Sequence, residues 1–129
     1  MSTLKVDNLL NAAGNESPIS VPGAAKAWVN FKGDGTAAIR DSFNVTSITD
    51  NGTGDYSISF TNSFSDTNYC VVTGGYNSNN GDGSWTSVGS SSTNSYPAGV
   101  ATVSVRLNTY SNGGIPQDQQ AIYVAVFGN

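Results

Sequence analysis

The chain has 129 residues, with 5 Lys and Arg against 9 Asp and Glu, a formal net charge of −4, no histidine and one cysteine. Without a basic cluster to neutralise phosphates, it is not built to bind nucleic acid or to settle on anionic membranes. Without histidine it lacks any Ser–His or Cys–His nucleophile, and with one cysteine it has no internal disulfide.

This length corresponds to one domain, large enough to bury about two-thirds of its unfolded surface without disulfides or metals. Charged residues make up 11% of the chain, against roughly 25% in an ordinary soluble domain. Ser, Thr, Asn and Gly stand in their place, which disfavours helices and favours strands and turns.

Residues 1–24 differ from the rest. Leu4, Val6, Leu9 and Leu10 sit in a short extended or helical segment that Ala13-Gly14-Asn15-Glu16-Ser17-Pro18 breaks. The start, MSTLKVDNLL, lacks the long apolar core of a secretory signal, and no stretch of the chain approaches a membrane span. Few of these residues can serve a sandwich core, so they are read as an N-terminal arm or anchor. It packs on a neighbouring chain or folds back on its own domain, residues 25–129.

The first strand of that domain is predicted over residues 27–31, with Val29 and Phe31 on one face and Trp28 on the other. Trp28 suits an inter-subunit contact, where Trp is enriched, and equally a place beneath the arm. Gly33-Asp34-Gly35 turns the chain into a short strand over 37–40. Phe43, Val45 and Ile48 follow in a strand whose slipped alternation predicts a bulge. In residues 48–72, ITDNGTGDYSISFTNSFSDTNYCVV, the side chains of Tyr56, Ile58 and Phe60 recur on every second residue, the period of a half-buried strand. Asp50-Asn51-Gly52 supplies the positive φ of a hairpin turn. Cys70, in the apolar run 69–72 of a strand that runs on to Tyr76, is expected as a small buried hydrophobe.

Residues 77–83, NSNNGDG, form a polar loop, and 84–88 a strand. Residues 90–95 form a second polar loop closed by Tyr96-Pro97. Val103, Val105 and Leu107 alternate with Thr102, Ser104 and Arg106 in a half-buried strand, and 109–120 is read as a loop. Residues 121–127 are apolar on both faces, the pattern of a central strand buried on each side. About eight short strands with frequent turn signals predict an all-β fold, an antiparallel, jelly-roll-like β-sandwich carrying the N-terminal arm.

The carboxylates are scattered through turns. Asp50 and Asp55 flank one hairpin, but turn residues that bond their own backbone explain both better than the glycosidase pair held about 5 to 9.5 Å apart. The oxygen-rich runs DNGTGD and NSNNGDG lack the Asp-x-Asp-x-Asp spacing and closing Glu of a calcium loop. No catalytic residue, metal or cofactor is expected. Trp85, Tyr96 and Tyr110 lie in or beside loops of Asn, Ser and Gly, where an aromatic face can stack on a sugar ring while amides and hydroxyls bond its hydroxyls. The competing reading is that they cap the ends of the sandwich.

Three segments carry a resemblance: STLKVDNL at the start, AKAWVNFKGDGTAAIRDSFNV over 25–45, and ITDNGTGDYSISFTNSFSDTNYCVV over 48–72. Together, covering about half the chain, they resemble small bacteriophage virion domains of tail fibres and related appendages, common in marine and cyanobacterial phages. The resemblance implies a non-enzymatic, all-β structural protein. It would be made in the bacterial host cytoplasm, assembled as a homotrimer and placed in the virion as a tail-fibre or appendage subunit for host attachment. Its partners would be other copies, other virion proteins through the N-terminal arm, and host surface glycan, with Leu4, Val6, Leu9, Leu10 and Trp28 as the candidate assembly contacts. The chain has no shaft-like repeat, so a capsid decoration protein stands as an alternative, and a stand-alone carbohydrate-binding module as a second.

Overall fold

In a computed structural model of the chain, residues 24–78, 85–89 and 99–128 are described. The arm residues Leu4, Val6, Leu9 and Leu10, the loop residue Tyr96 and most of NSNNGDG lie outside them.

The described chain forms β1 (Ala27–Lys32), β2 (Ala38–Phe43), β3 (Val45–Gly52), β4 (Asp55–Phe60), β5 (Cys70–Tyr76), β6 (Trp85–Val88), β7 (Val100–Ala101), β8 (Ser104–Tyr110) and β9 (Ala121–Phe127). They pair antiparallel in two sheets. One has the order β2-β1-β9-β5, the other β3-β4-β8-β6 with β7 also on β8. The two sheets pack face to face as the predicted β-sandwich.

Strand alternation places the core between them. Ala27, Val29 and Phe31 of β1 and Ile122, Val124 and Val126 of β9 face Tyr56, Ile58 and Phe60 of β4 and Val105 and Leu107 of β8. Each fully buried side chain of this size stabilises the fold by about 1.5–3 kcal/mol. Phe31 meets Tyr56 edge to face at 5.4 Å, and Phe60 meets Phe64 at 4.8 Å, so the aromatics interlock.

The β3–β4 hairpin turns two residues later than the sequence suggested. Gly52 and Asp55 form the last pair, leaving Thr53-Gly54 as the loop. Gly54 has φ +67, and a Cβ there would stand 2.4 Å from the Thr109 carbonyl oxygen, so only glycine fits. Between β2 and β3 the chain changes sheets at Asn44, which has φ 56. Its amide donates to the carbonyls of Lys26 and Asn62 and its Oδ1 accepts from Asn62 N, pinning the corner.

Three local expectations are corrected. Cys70 is exposed: β5 turns Val71 and Thr73 inward and Cys70 and Val72 outward, because its register on β9 decides which face of a doubly apolar run is buried. Val103 is exposed in the turn between β7 and β8, so the alternating strand starts at Ser104 and continues to Tyr110, into the predicted loop. β9 is central, paired with β1 and β5, but buried on one face only. Tyr123 is exposed, and Ala125 and Phe127 are half-buried on the outside.

Candidate functional site

Two surfaces hold the described residues that the sequence singled out. The first is one end of the five-stranded sheet. Trp85 opens β6 and pairs directly with Tyr110 at the end of β8, on the outer face. Their ring centroids are 5.4 Å apart with planes inclined at 55°. The Trp85 indole Nε1 donates to the Ser111 carbonyl at 3.1 Å, yet Trp85 remains 56% exposed. An exposed aromatic ring is thus held in a fixed attitude. The turn beside it is closed by Gly114 N donating to Ser111 O and Ser111 N donating to Ile115 O, and leaves Ile115 exposed.

Behind this pair lies a residue that the sequence did not single out. Gln119 is fully buried. Its Nε2 donates to the carbonyls of Trp85 at 3.2 Å and Tyr110 at 3.4 Å, and its Oε1 accepts from Thr86 Oγ1 at 3.4 Å. Its own carbonyl accepts from the backbone N–H groups of Gly33 and Asp34. Gln119 therefore ties β6, β8 and the β1–β2 loop together beneath the aromatic surface. No spacing in residues 109–120 marks it, because its partners are backbone groups remote in sequence.

Asp118, beside it, serves structure as well. Its Oδ1 accepts from the Tyr56 hydroxyl at 2.6 Å and from Gly54 N at 2.7 Å. Burial, reinforced by this hydrogen bond to a carboxylate, pushes the Tyr56 hydroxyl well above its ordinary pKa. Asp55 is a correction to the turn-forming reading. It is buried and gripped by Arg106, whose Nε donates to Oδ1 at 2.7 Å and whose Nη2 donates to Oδ2. These hydrogen bonds hold its carboxyl below the usual carboxylate range against the opposing effect of burial. Asp50, at the bulge near the end of β3, does bond its own backbone, accepting from Gly52 N at 2.9 Å. The three carboxylates are thus occupied with structural donors. Among the described residues no group of three or more His, Cys, Asp or Glu is placed to hold a metal.

The second surface is the outer face of the four-stranded sheet, where Trp28 lies. The register aligns Val72 of β5, Ala125 of β9, Trp28 of β1 and Phe43 of β2 in one row across all four strands. Trp28 is 36%, Phe43 46% and Val72 56% exposed. The pair Cys70 and Phe127 flanks the row on one side, and Gly74, Tyr123, Asn30 and Asp41 form the next row on the other. Arg40 lies in that second half, its guanidinium donating to Asn30 Oδ1 and to the carbonyls of Phe31 and Gln120. The sequence marked Trp28 but missed Phe43 and Val72, whose place beside it depends on which strands pair.

Comparison with family models, with curated proteins and with solved structures finds no match for this chain.

Proposed function

We propose that this chain is a non-catalytic structural protein of a bacteriophage virion, a homotrimeric tail-fibre or appendage subunit that contributes to host attachment. Residues 1–24 anchor it to the particle, and the loop end around Trp85 faces outward. The observation that carries this reading is the exposed Trp85 ring, fixed by Tyr110 and by its bond to Ser111 O. A preset aromatic plane loses little side-chain freedom when a ligand stacks on it, which is what a receptor-contact surface requires. The resemblance of residues 25–45 and 48–72 to phage appendage domains supports the same reading. So does the engagement of Asp50, Asp55 and Asp118 in structural bonds.

Immunogold labelling of purified particles tests the placement. Gold on the tail is the expected result, and gold confined to the capsid shell would make the protein a decoration subunit instead. Binding of the purified protein to host cells and to their isolated surface polysaccharide tests attachment, with Trp85→Ala expected to weaken it at least about tenfold. The same Trp85 geometry favours a second reading, a carbohydrate-binding module outside any particle. Glycan binding by a protein that no virion carries would select it.

A further inference from the structure

We propose that the apolar half of the outer face of the four-stranded sheet is the surface on which a second copy of this chain packs. The inference rests on the reading of the chain as a self-associating subunit and names where the copies meet.

The two outer faces of the sandwich differ. Apart from Trp85 and Tyr110 at one end, the outer positions of the five-stranded sheet carry Ser47, Thr49, Ser57, Ser59, Ser87, Ser104 and Arg106. That is the polar exterior expected of an antiparallel sheet with one face in water. The four-stranded sheet is exposed on the same molecule, yet at its equivalent positions it carries the row Val72, Ala125, Trp28 and Phe43 with Cys70 and Phe127 beside it. Overall composition cannot produce this contrast, since both sheets draw on one chain. Contiguous exposed apolar surface on a sheet marks an interaction site, and aromatic residues are enriched in the core of interfaces.

Three features select an identical copy as the occupant. First, this half of the face has no carboxylate, and its one charged side chain is Lys26, at the margin beside Phe127. Lys32, Arg40 and Asp41 lie towards the other end of β1 and β2. Two identical chains of net charge −4 repel, and a charge-free apolar row is the kind of patch that meets its own image without opposing like charges. Second, the sheet ends at β5, whose sequence CVVTGGY contains neither charge nor proline, and whose pairing with β9 runs without a bulge. These are the devices by which natural edges refuse other chains.

Third, the area is instructive. Four strands about 4.8 Å apart and six residues long at about 3.4 Å each give the whole outer face roughly 400 Å². Its apolar half is about 200 Å², a quarter of the roughly 800 Å² per partner in a standard interface, so this patch is the centre of a larger contact between copies. The described chain starts at Ala24, and Lys26 N donates to Val126 O beside the Trp28 row. Residues 24–26 therefore bring the chain into the domain beside this patch.

The experiment uses the full chain. Sedimentation equilibrium of the wild type, Val72→Asp and Phe43→Asp measures self-association, with Ser57→Asp on the polar sheet as a control. Circular dichroism and melting confirm that each variant is folded. Maleimide labelling of Cys70, the only thiol, reports whether the face is covered. The expected result is a wild-type oligomer with slowly labelled Cys70. Both face variants should show a dissociation constant raised at least about 30-fold and rapid labelling, while Ser57→Asp is unchanged. An oligomer that survives both face variants with Cys70 freely labelled overturns this interface and leaves the subunit reading standing. A wild-type monomer at every concentration overturns both. A monomer whose Cys70 is protected equally overturns the second-copy occupant, since the chain then covers its own face.

Discussion

Gly75 and Gln119 share one space. A Cβ added at Gly75 would lie 1.6 Å from Gln119 Oε1 and 3.0 Å from Thr86 Oγ1. The bare backbone of β5 at this point admits the amide of Gln119 into the gap between β5 and β6. There it reaches the carbonyls of Trp85 and Tyr110. The aromatic surface is thus supported by a glycine on the opposite sheet.

Gly75→Ala is expected to destabilise the domain by about 1–3 kcal/mol, because Gln119 or the β5 backbone must move. Gln119→Ala should cost about 1–3 kcal/mol by leaving buried acceptors without donors. The double variant should be less destabilised than the sum, since removing the amide makes room for the methyl. Chemical denaturation of the four proteins gives the coupling, expected at about 0.5 kcal/mol or more. Strict additivity would show that the two residues do not compete.

Tyr56→Phe removes the hydroxyl that Asp118 accepts from, and a loss of about 1.5–3 kcal/mol is expected for a hydrogen bond to a charged group. Burial of the hydroxyl, reinforced by this bond, also gives a pH signature. The folded state raises the Tyr56 pKa above its ordinary value of 10.0, so the native protein keeps a proton that the unfolded chain releases. That contribution is fully present below pH 10 and is lost progressively as pH rises above it. Melting temperature should therefore fall more steeply between pH 10 and 11.5 in the wild type than in Tyr56→Phe.

The Asp55–Arg106 pair works in the opposite direction. Its carboxyl titrates below the ordinary 3.8 in the fold, so its contribution is present above pH 3.8 and lost as pH falls through the lower folded value. Asp55→Asn should cost about 1 kcal/mol at pH 7, a modest figure because Arg106 is partly in water. The variant should also show a shallower loss of stability in urea titrations between pH 4 and pH 2.

Trp85→Ala should change stability by less than about 1 kcal/mol, since the ring is mostly in solvent. Matching denaturation curves for Trp85→Ala and wild type would assign any loss of host-cell binding to the ring itself. A large drop in stability would instead identify Trp85 as a structural cap of the sandwich end.

The parts of the fold legible in sequence were those written in local periodicity. Tyr56, Ile58 and Phe60 face the core as their spacing requires, and Val105 and Leu107 do the same. Reading failed where a segment was apolar on both faces. Neither 70–76 nor 121–127 states which side chains turn inward, and so Cys70 and Tyr123 were placed inside although both are exposed. Of the aromatic candidates, Trp85 and Tyr110 come together, which 24 intervening residues hide. Tyr96 lies outside the described residues.

By itself, the sequence determined the class of molecule: strands from alternation and β-branched residues, turns from Asn and Gly, and, since it contains no histidine, no histidine chemistry. These follow from each residue and its near neighbours. Only the tertiary structure decided which strands lie side by side. That pairing set Val72, Ala125, Trp28 and Phe43 in one row, put Gln119 into the gap at Gly75, and brought Arg106 onto Asp55. The physical reason is that sheet register is a long-range relation, fixed by the packing of two whole faces and not by the residues of either strand alone.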